Sequence, residues 1–340
     1  MFTNTELEEI KGMLVPGKKI VITTHYNPDG DAIGSSLGLK HFLKAKGVDA
    51  EVLVPNDYPK FLKWMPDAKQ ITIADYKRKK AWDLFTEAEV IFILDFNAAH
   101  RSGDLVSQML QKSKATKILI DHHQMPDQFD YVYSDTSVPA TCQMVYHFIS
   151  ALGETDLVNR DVAECLYTGI MTDTGGFRFR STSATTHRIV ADLMDKGVDP
   201  SIISSNVLDT NTVSRLHLLS LILGRIEVVD EGRVAILSLT REELKQYGFE
   251  KGDTEGFVNY GLSIAGTKVA AFFMEDLFED FIKISFRSKG LVDVNQFSRT
   301  YFSGGGHINA SGGKSYLSLE KTIEEFKNKV EESGLALDGE

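Results

Sequence analysis

The chain has 340 residues, of which 42% are hydrophobic and 25% are charged. This length and composition predict a globular protein with two domains, each large enough to bury its own core. The formal net charge of −11 argues against a protein that coats long duplex nucleic acid with a broad basic surface, although a local cluster of cations or metals can still bind a small anion.

Two further features concern the compartment. The cysteines, Cys142 and Cys165, both fall in segments with a helical pattern, and so few thiols favour a reducing environment. The N-terminus lacks a basic region followed by an apolar core, and no apolar stretch reaches the length of a membrane span. We therefore expect a cytoplasmic protein with no membrane partner.

The first half of the chain alternates predicted strands and helices. A buried strand at 20–22 leads into a helix over 31–47, which carries Gly30, Gly34 and Gly38 at intervals of four residues. Glycines at this spacing leave one face of the helix bare, so we expect that face to pack closely on a sheet. The pattern also predicts a helix over 5–14, strands at 51–54, 90–94 and 117–120, a short helix at 61–66, and helices over 137–152 and 159–172.

Histidine and aspartate, the residue types that commonly bind metals, follow three of these strands and end one helix. They are His25, Asp29 and Asp31 after the first strand, Asp95 after 90–94, Asp121-His122-His123 after 117–120, and Asp173 at the end of the last helix. A turn that caps the following helix would by itself explain Asp29 and Asp31. Because parallel strands place their carboxyl ends at one edge of a sheet, we expect all these side chains to converge.

Converging carboxylates predict a metal site. Four carboxylates without a cation would repel one another and shift one another's pKa values. Carboxylate and imidazole ligands without thiolate suit Mn²⁺, Mg²⁺, Fe²⁺ or Co²⁺ better than a structural zinc. Six ligands suit two ions that share one carboxylate, for which we choose Asp95, and paired ions recur in displacement at phosphorus. Arg101, just past Asp95, could bind a phosphate, although a surface position is the commoner fate of an arginine.

The second half of the chain changes in character. Successive helices over 186–225, strongly apolar at their end, predict a connector between domains that could also pack against a second subunit. Beyond it, the pattern predicts a smaller mixed α/β domain with a hairpin at 225–229 and 233–237, strands at 267–275 and 280–287, and helices near 241–247, 293–301 and 319–333.

These motifs, in this order, resemble those of the DHH phosphoesterases, a family named for the triplet that stands here as Asp121-His122-His123. The C-terminal run Gly304-Gly305-Gly306-His307 resembles the two-domain branch with a DHH-associated C-terminal domain. The likeness is greatest to the nanoRNase/pAp phosphatases and extends over nearly the whole chain, with no departure at a ligand position.

The resemblance implies an α/β fold: an N-terminal, mainly parallel-sheet DHH domain over 1–185 with helices on both faces, a helical linker over 186–225, and a smaller mixed α/β domain over 226–340. It implies two divalent ions, usually Mn²⁺, with Mg²⁺ or Co²⁺ as alternatives. One ion would be held by His25, Asp29 and Asp95, and the other by Asp31, Asp95, His122 and Asp173. His123 would lie beside the scissile phosphate, where it could stabilise charge or protonate the leaving oxygen.

A glycine-rich loop is predicted over 303–313. Its glycines, Gly304, Gly305 and Gly306, would let backbone N–H groups approach an anion, although a flexible turn is the simpler interpretation. With His307 and the fork of donors on Arg287, we expect a pocket for the far end of the substrate. Such a pocket would admit short substrates and exclude long strands.

The predicted activity is metal-dependent hydrolysis of very short oligoribonucleotides, including linear dinucleotides such as pApA, to 5′-mononucleotides, together with removal of the 3′-phosphate from adenosine 3′,5′-bisphosphate (pAp). A pyrophosphatase or exopolyphosphatase would use the same metals but needs a pocket ringed with lysine and arginine. A processive single-strand DNA exonuclease would need added basic or OB-type modules. An inactive nucleotide sensor would be expected to have lost a ligand.

Overall fold

A computed structural model of the chain describes residues 1–335. The chain divides into two compact units, one over Met1–Thr210 and the other beginning at Asn211. The division lies inside the segment predicted as a linker, while the bounds 1–185, 186–225 and 226–340 remain predictions. Residues 336–340 of the last predicted domain lie outside the described residues. Within residues 1–335, no helix combines the length and apolar character needed to cross a membrane.

The first unit is built on a parallel sheet of six strands in the order β3-β2-β1-β4-β5-β6. Its strands are β1 (Ile20–Thr23), β2 (Ala50–Val54), β3 (Thr72–Ile73), β4 (Val90–Leu94), β5 (Thr116–Asp121) and β6 (Tyr131–Ser134). The two outermost strands, β3 and β6, are short and were not predicted. The helices are α1 (Asn4–Met13), α2 (Gly30–Ala45), α3 (Arg78–Glu87), α4 (Gly103–Lys112), α5 (Thr141–Ala151), α6 (Arg160–Asp173), α7 (Ala184–Asp195) and α8 (Pro200–Leu208).

Helices cover both faces of this sheet, which explains the continuous apolar runs of β1 and β4. Alternate side chains of β4 point to opposite faces: Phe92 packs in the core that contains α5 and α6, and Ile91 and Ile93 pack with α3 and α4. The predicted parallel sheet with helices on both faces is confirmed. The helix predicted at 61–66 is instead a single 3₁₀ turn at Lys60–Leu62.

The bare face of α2 packs against helix α6, so the prediction that it packs on the sheet is wrong. A Cβ atom added at Gly34 would lie 2.6 Å from the backbone oxygen of Cys165, and one at Gly38 would lie 2.5 Å from Leu166. On the other side of the contact, a Cβ at Gly169 would overlap the sulfur of Cys142. The two helix backbones therefore approach as closely as they do only because glycine stands at these positions.

The second unit contains a mixed sheet in the order β11-β12-β10-β9-β8-β7, antiparallel except between β8 and β9. Its strands are β7 (Glu227–Val229), β8 (Val234–Leu239), β9 (Val269–Glu275), β10 (Ile282–Ser288), β11 (Gly305–His307) and β12 (Ala310–Ser315). Its helices are α9 (Val213–Gly224), α10 (Arg241–Gln246), α11 (Val258–Leu262), α12 (Val294–Tyr301) and α13 (Leu319–Ser333). Helices α12 and α13 pack on one face, and α9, α10 and α11 pack on the other.

The predicted glycine-rich loop is wrong as a description of 303–313, because most of that segment forms the antiparallel pair β11 and β12. A Cβ at Gly304 would overlap the carbonyl oxygen of Gly312, and one at Gly306 would overlap that of Ala310. The glycines at 304 and 306 are thus required by the close approach of strand β12. A flexible turn does not account for them.

Replacing Gly34 by alanine tests the helix contact. The new methyl group would meet the backbone of α6, which cannot move aside as a side chain could, so we expect a loss of about 1–3 kcal/mol in the free energy of unfolding. Gly12→Ala is the matched control, because α1 leaves open space around Gly12 and alanine favours helix by up to about 1 kcal/mol. Urea denaturation of both variants measures the difference. Equal stabilities would contradict the packing argument.

Candidate active site

The predicted ligands lie at the carboxyl edge of the parallel sheet, where the strand order changes direction. Strand β1 lies between β2 and β4, so the chain leaves β1 to one side and returns through β4 on the other. His25 follows β1, Asp95 follows β4, and the Asp121 triplet begins at the end of β5. Open parallel sheets place their sites at such a point.

Asp95 is at the centre of the cluster. Its backbone takes a φ of +65°, a left-handed conformation that aspartate tolerates better than most residues and that turns the chain sharply after β4. Its carboxylate is buried, with Oδ2 3.5 Å from Nε2 of His25 and Oδ1 3.4 Å from Nε2 of His122. Asp95 therefore lies between two imidazoles, as a shared ligand would.

Asp29 lies beside His25 at the start of α2. Its Oδ1 is 3.9 Å from Nε2 of His25 and accepts hydrogen bonds from the backbone N–H groups of Asp31 and Ala32 at 3.0 and 3.1 Å. Asp29 thus caps α2, as the simpler interpretation predicted. The same carboxylate also lies beside His25, so capping the helix does not prevent it from contributing to the cluster. These three residues place donor atoms within 4.8 Å of one another.

His122 gathers the remaining carboxylates. Its Nε2 lies 3.9 Å from Asp31 Oδ2 and 3.6 Å from Asp173 Oδ2. Asp31 comes from the first turn of α2 and Asp173 is the last residue of α6, so the glycine-mediated contact of these helices brings the two carboxylates to one imidazole. Asp31, Asp95 and His122 form a second group with donor atoms within 4.8 Å.

The tautomers of His25 and His122 show why a cation fits between these groups. Nδ1 of His25 lies 2.9 Å from the carbonyl oxygen of Tyr26, and Nδ1 of His122 lies 3.1 Å from that of Val138. A carbonyl can only accept, so each Nδ1 carries hydrogen and each neutral ring turns the lone pair of Nε2 toward carboxylate oxygens. Lone pairs facing negative charge require either a proton or a cation. The donor set therefore fits a divalent metal.

The pKa values of these histidines and aspartates show the same need for a proton or a cation between the imidazoles and the carboxylates. Burial would lower the pKa of His25, but Asp29 and Asp95 raise it to about 10. Burial would likewise lower the pKa of His122, and Asp95, Asp173 and Asp31 raise it well above its ordinary value. Burial, with the charges of Asp95 and Asp173, raises the pKa of Asp31, whereas the two imidazoles hold the pKa of Asp95 well below its usual range despite its burial. The predicted mutual repulsion of the carboxylates is present.

Helix α5 contributes contacts that sequence reasoning missed. The hydroxyl of Thr141, which is fully buried, donates to Asp95 Oδ1 at 3.0 Å. The backbone N–H groups of Thr141 and Cys142 donate to the two carboxylate oxygens of Asp31 at 2.5 and 2.8 Å. The residue before the helix, Ala140, has no side-chain acceptor, so Asp31 caps α5 from another helix. Nothing local in the sequence signals this contact, because Thr141 is 46 residues from Asp95.

Asp121 orients His123 next to this cluster. Asp121 Oδ1 lies 2.7 Å from Nδ1 of the His123 ring, and Oδ2 accepts the backbone N–H of His123 at 3.1 Å. Burial and the charge of Asp95 raise the pKa of Asp121 to about 7. Burial lowers the pKa of His123 well below its usual value, and the positive charge of Arg101 lowers it further. Arg101 is half-buried and acts electrostatically on both residues.

The predicted substrate residues of the second unit lie on strands that flank β12. Arg287 on β10 and His307 on β11 both pair with Ala310 on β12, so one strand separates them. The backbone N–H groups of Gly304 and Gly306 donate to Ser298 O at 3.0 Å and Asn295 Oδ1 at 2.9 Å. Those two groups are therefore engaged inside the unit, and a substrate role for Gly304, Gly305 and Gly306 stays a prediction.

Comparison with known proteins agrees with the order of these motifs. The N-terminal domain of the DHH family matches residues 19–170, and the DHHA1 domain matches residues 231–333. A protein of Thermus thermophilus named bifunctional oligoribonuclease and PAP phosphatase NrnA is 31% identical over 92% of this chain and 89% of its own. The chain belongs to the DHH family. DHH phosphoesterases are metal-dependent, and this DHH chain has the carboxylate and imidazole clusters to bind metal.

Two further relatives extend over most of this DHH chain. A Bacillus subtilis protein, also named bifunctional oligoribonuclease and PAP phosphatase NrnA, is 25% identical over 87% of this chain and 89% of its own. The crystal structure of an exopolyphosphatase-related protein from Bacteroides fragilis is 40% identical and has a TM-score of 0.92, covering 97% of this chain and 96% of that one. The predicted family and its two-domain architecture are confirmed.

Thr141→Val tests whether the α5 hydroxyl positions Asp95. Valine keeps the shape of the side chain but removes the donor, so we expect Mn²⁺ affinity to fall by about 10–100-fold. Thr141→Ser keeps the hydroxyl and is the matched control, with affinity expected near that of the unmodified protein. Isothermal titration with Mn²⁺ measures both, and thermal melting of the metal-free proteins checks that they fold. Equal affinities for valine and serine variants would refute the positioning role.

Proposed function

We propose that this DHH protein hydrolyses very short oligoribonucleotides, including linear dinucleotides such as pApA, to 5′-mononucleotides and removes the 3′-phosphate from pAp. The observation that carries the proposal is the placement of buried Asp95 between His25 and His122, whose tautomers are both fixed by carbonyl oxygens. Relatives named bifunctional oligoribonuclease and PAP phosphatase, which match most of the chain, support the choice of substrate.

Two divalent ions complete the proposal. His25, Asp29 and Asp95 would hold one, and Asp31, Asp95, His122 and Asp173 would hold the other. A set of carboxylates and imidazoles without thiolate favours Mn²⁺, with Mg²⁺ or Co²⁺ as alternatives. When bound, such ions supply an activated water and stabilise negative charge on phosphoryl oxygens.

The chain's own side chains would bind and orient the phosphate. Arg101 presents a fork of donors that matches phosphoryl oxygens, and its charge already acts on the region of Asp121 and His123. An ionised Asp121 accepts from Nδ1 of His123 and fixes the ring, so Nε2 is the atom that exchanges a hydrogen bond with substrate. A bound phosphate would favour the protonated ring, and His123 could then donate to the leaving oxygen.

The second unit would bind the other end of the substrate. Arg287 supplies a guanidinium for a terminal phosphate, and His307 lies on the other side of β12, across Ala310. Gly304, Gly305 and Gly306 keep this edge of the sheet free of side chains. We propose that these residues bind the terminal group of a short substrate, and that long duplex nucleic acid is not a partner.

We also propose that the protein forms a homodimer through α9. Val213, Leu216 and Leu223 of this helix are 69%, 49% and 43% exposed, which is unusual for apolar side chains on one helix. Light scattering of the full chain is expected to give twice the monomer mass, and Leu216→Glu with Leu223→Glu should give the monomer. A monomeric unmodified chain at micromolar concentration would overturn this proposal.

A panel of substrates, together with a variant of the shared ligand Asp95, tests the proposed activity. With Mn²⁺, we expect turnover of pAp and pApA, slower turnover of longer RNA, and little turnover of pyrophosphate or polyphosphate. Asp95→Asn removes the central charge and should reduce turnover of pAp by about 10³-fold or more, since both proposed ions depend on it. Product chromatography of each reaction measures the rates.

The matched control for that change is Asp104→Asn. Asp104 is exposed in the first turn of α4, so the same loss of a carboxylate there should leave turnover unchanged. Preferred hydrolysis of polyphosphate would show a phosphoanhydride hydrolase instead. Tight binding of pAp without turnover would indicate a sensor, and activity that survives Asp95→Asn would remove the proposed metal centre.

A further inference from the structure

One face of the second unit's sheet carries aromatic and cationic side chains along β10 and β12. Ile282, Ile284 and Phe286 of β10 point into the core beneath α12 and α13. The alternate residues of β10 therefore point to the opposite face. There the ladder pairs Lys283 with Lys314, Ser285 with Gly312, and Arg287 with Ala310.

Aromatic rings complete the row at its far end. The ring of Phe281 lies beneath the Lys314 ammonium, with Nζ 4.6 Å from the ring centroid, and 6.4 Å from the ring of Tyr316. Tyr316 follows the last residue of β12 and is 77% exposed, so most of its ring is accessible. From Phe281 to Arg287 the row extends six residues, roughly 20 Å along the strand.

The middle of the row is open. A Cβ atom added at Gly312 would meet only the backbone oxygen of Ile284 within 4 Å, at 3.7 Å, so space remains above it. Helix α11 covers the neighbouring part of this face, where Gly261 lies against Ala235 and Ala270 of β8 and β9. The row is thus a shallow track beside α11, with the lysine pair and the rings toward one end, Arg287 at the other, and a floor of serine, glycine and alanine between them.

The lysines face each other directly, an arrangement that lowers stability unless an anion lies between them. The pKa of Lys283 is lowered by loss of solvent and by Lys314, while Glu255 and Asp276 act in the opposite direction. These two acidic residues limit the local positive charge. The track therefore suits a ligand with a few phosphates better than a long polyanion.

We propose that this track, defined by Phe281, Lys283, Arg287, Gly312, Lys314 and Tyr316, binds single-stranded oligoribonucleotide beyond the terminal nucleotide. The lysine pair binds a backbone phosphate, and a base stacks on Tyr316 or at the half-buried ring of Phe281, because proteins bind single strands with cations for the phosphates and aromatic rings for the bases. The inference rests on the proposed function, and it extends the contacts from one terminal group at Arg287 to about three nucleotides.

Fluorescence anisotropy of 5′-fluorescein-labelled pentaadenylate RNA with the full chain tests the track. EDTA prevents metal-dependent loss of the probe. Lys283→Ala with Lys314→Ala is expected to weaken binding at least about fivefold and to reduce the dependence of log affinity on log salt by about 0.7 per lost phosphate contact. Phe281→Leu with Tyr316→Leu should weaken binding at least about fivefold and leave the salt dependence unchanged.

Lys321→Ala is the matched control, because Lys321 lies in α13 on the other side of the sheet, and its binding should equal that of the unmodified chain. Unchanged affinity and salt dependence in the double lysine variant would overturn the track. Competition by inorganic tripolyphosphate as strong as that by unlabelled pentaadenylate would overturn the assignment to oligonucleotide. Hydrolysis of pAp by the unmodified chain with Mn²⁺ is measured in parallel. If pAp is not hydrolysed but RNA binding still depends on the track residues, the result counts against the proposed function alone.

Discussion

The close contact between α2 and α6 is the constraint on which the N-terminal site depends. Asp31 lies in the first turn of one helix and Asp173 ends the other, so their separation is set by how near the two backbones lie. Gly34 and Gly169 permit that approach, and any side chain there would meet backbone or buried sulfur. Residues without chemistry of their own thus decide where two carboxylates meet His122. The site is a consequence of helix packing as much as of ligand identity.

This packing gathers negative charge away from solvent, and hydrogen bonds and imidazoles of the chain hold the carboxylates in place. Asp31 is stabilised by two N–H groups at the start of α5, and Asp95 by two imidazoles and the Thr141 hydroxyl. The carboxylates are therefore already oriented before any ion arrives. Little reorganisation is needed on binding, which is the condition under which charged groups in a dry site act most strongly.

The features that could be predicted from the sequence are those that depend on the local pattern of apolar and polar residues. Apolar runs that end in aspartate or histidine placed His25, Asp95 and His122 at one sheet edge, because parallel strands share that edge. Contacts between distant segments left no such signal. Thr141 reaches Asp95 across 46 residues, and the helical partner of α2 could not be told from a sheet, since a bare glycine face suits both. The run at 303–313 pairs with β10 through long-range contacts, so its composition alone favoured a loop.

The net negative charge of the chain bears on substrate length when it is compared with the positions of individual arginine and lysine residues. A net charge of −11 repels a long polyanion at a distance, whereas the phosphate contacts proposed for Arg101, Arg287, Lys283 and Lys314 would act only at short range. A substrate with two or three phosphates would experience little of the general repulsion and would gain these local contacts. A longer strand gains few additional contacts and meets more acidic surface. Selection for short substrates would then follow from the distribution of charge along the chain.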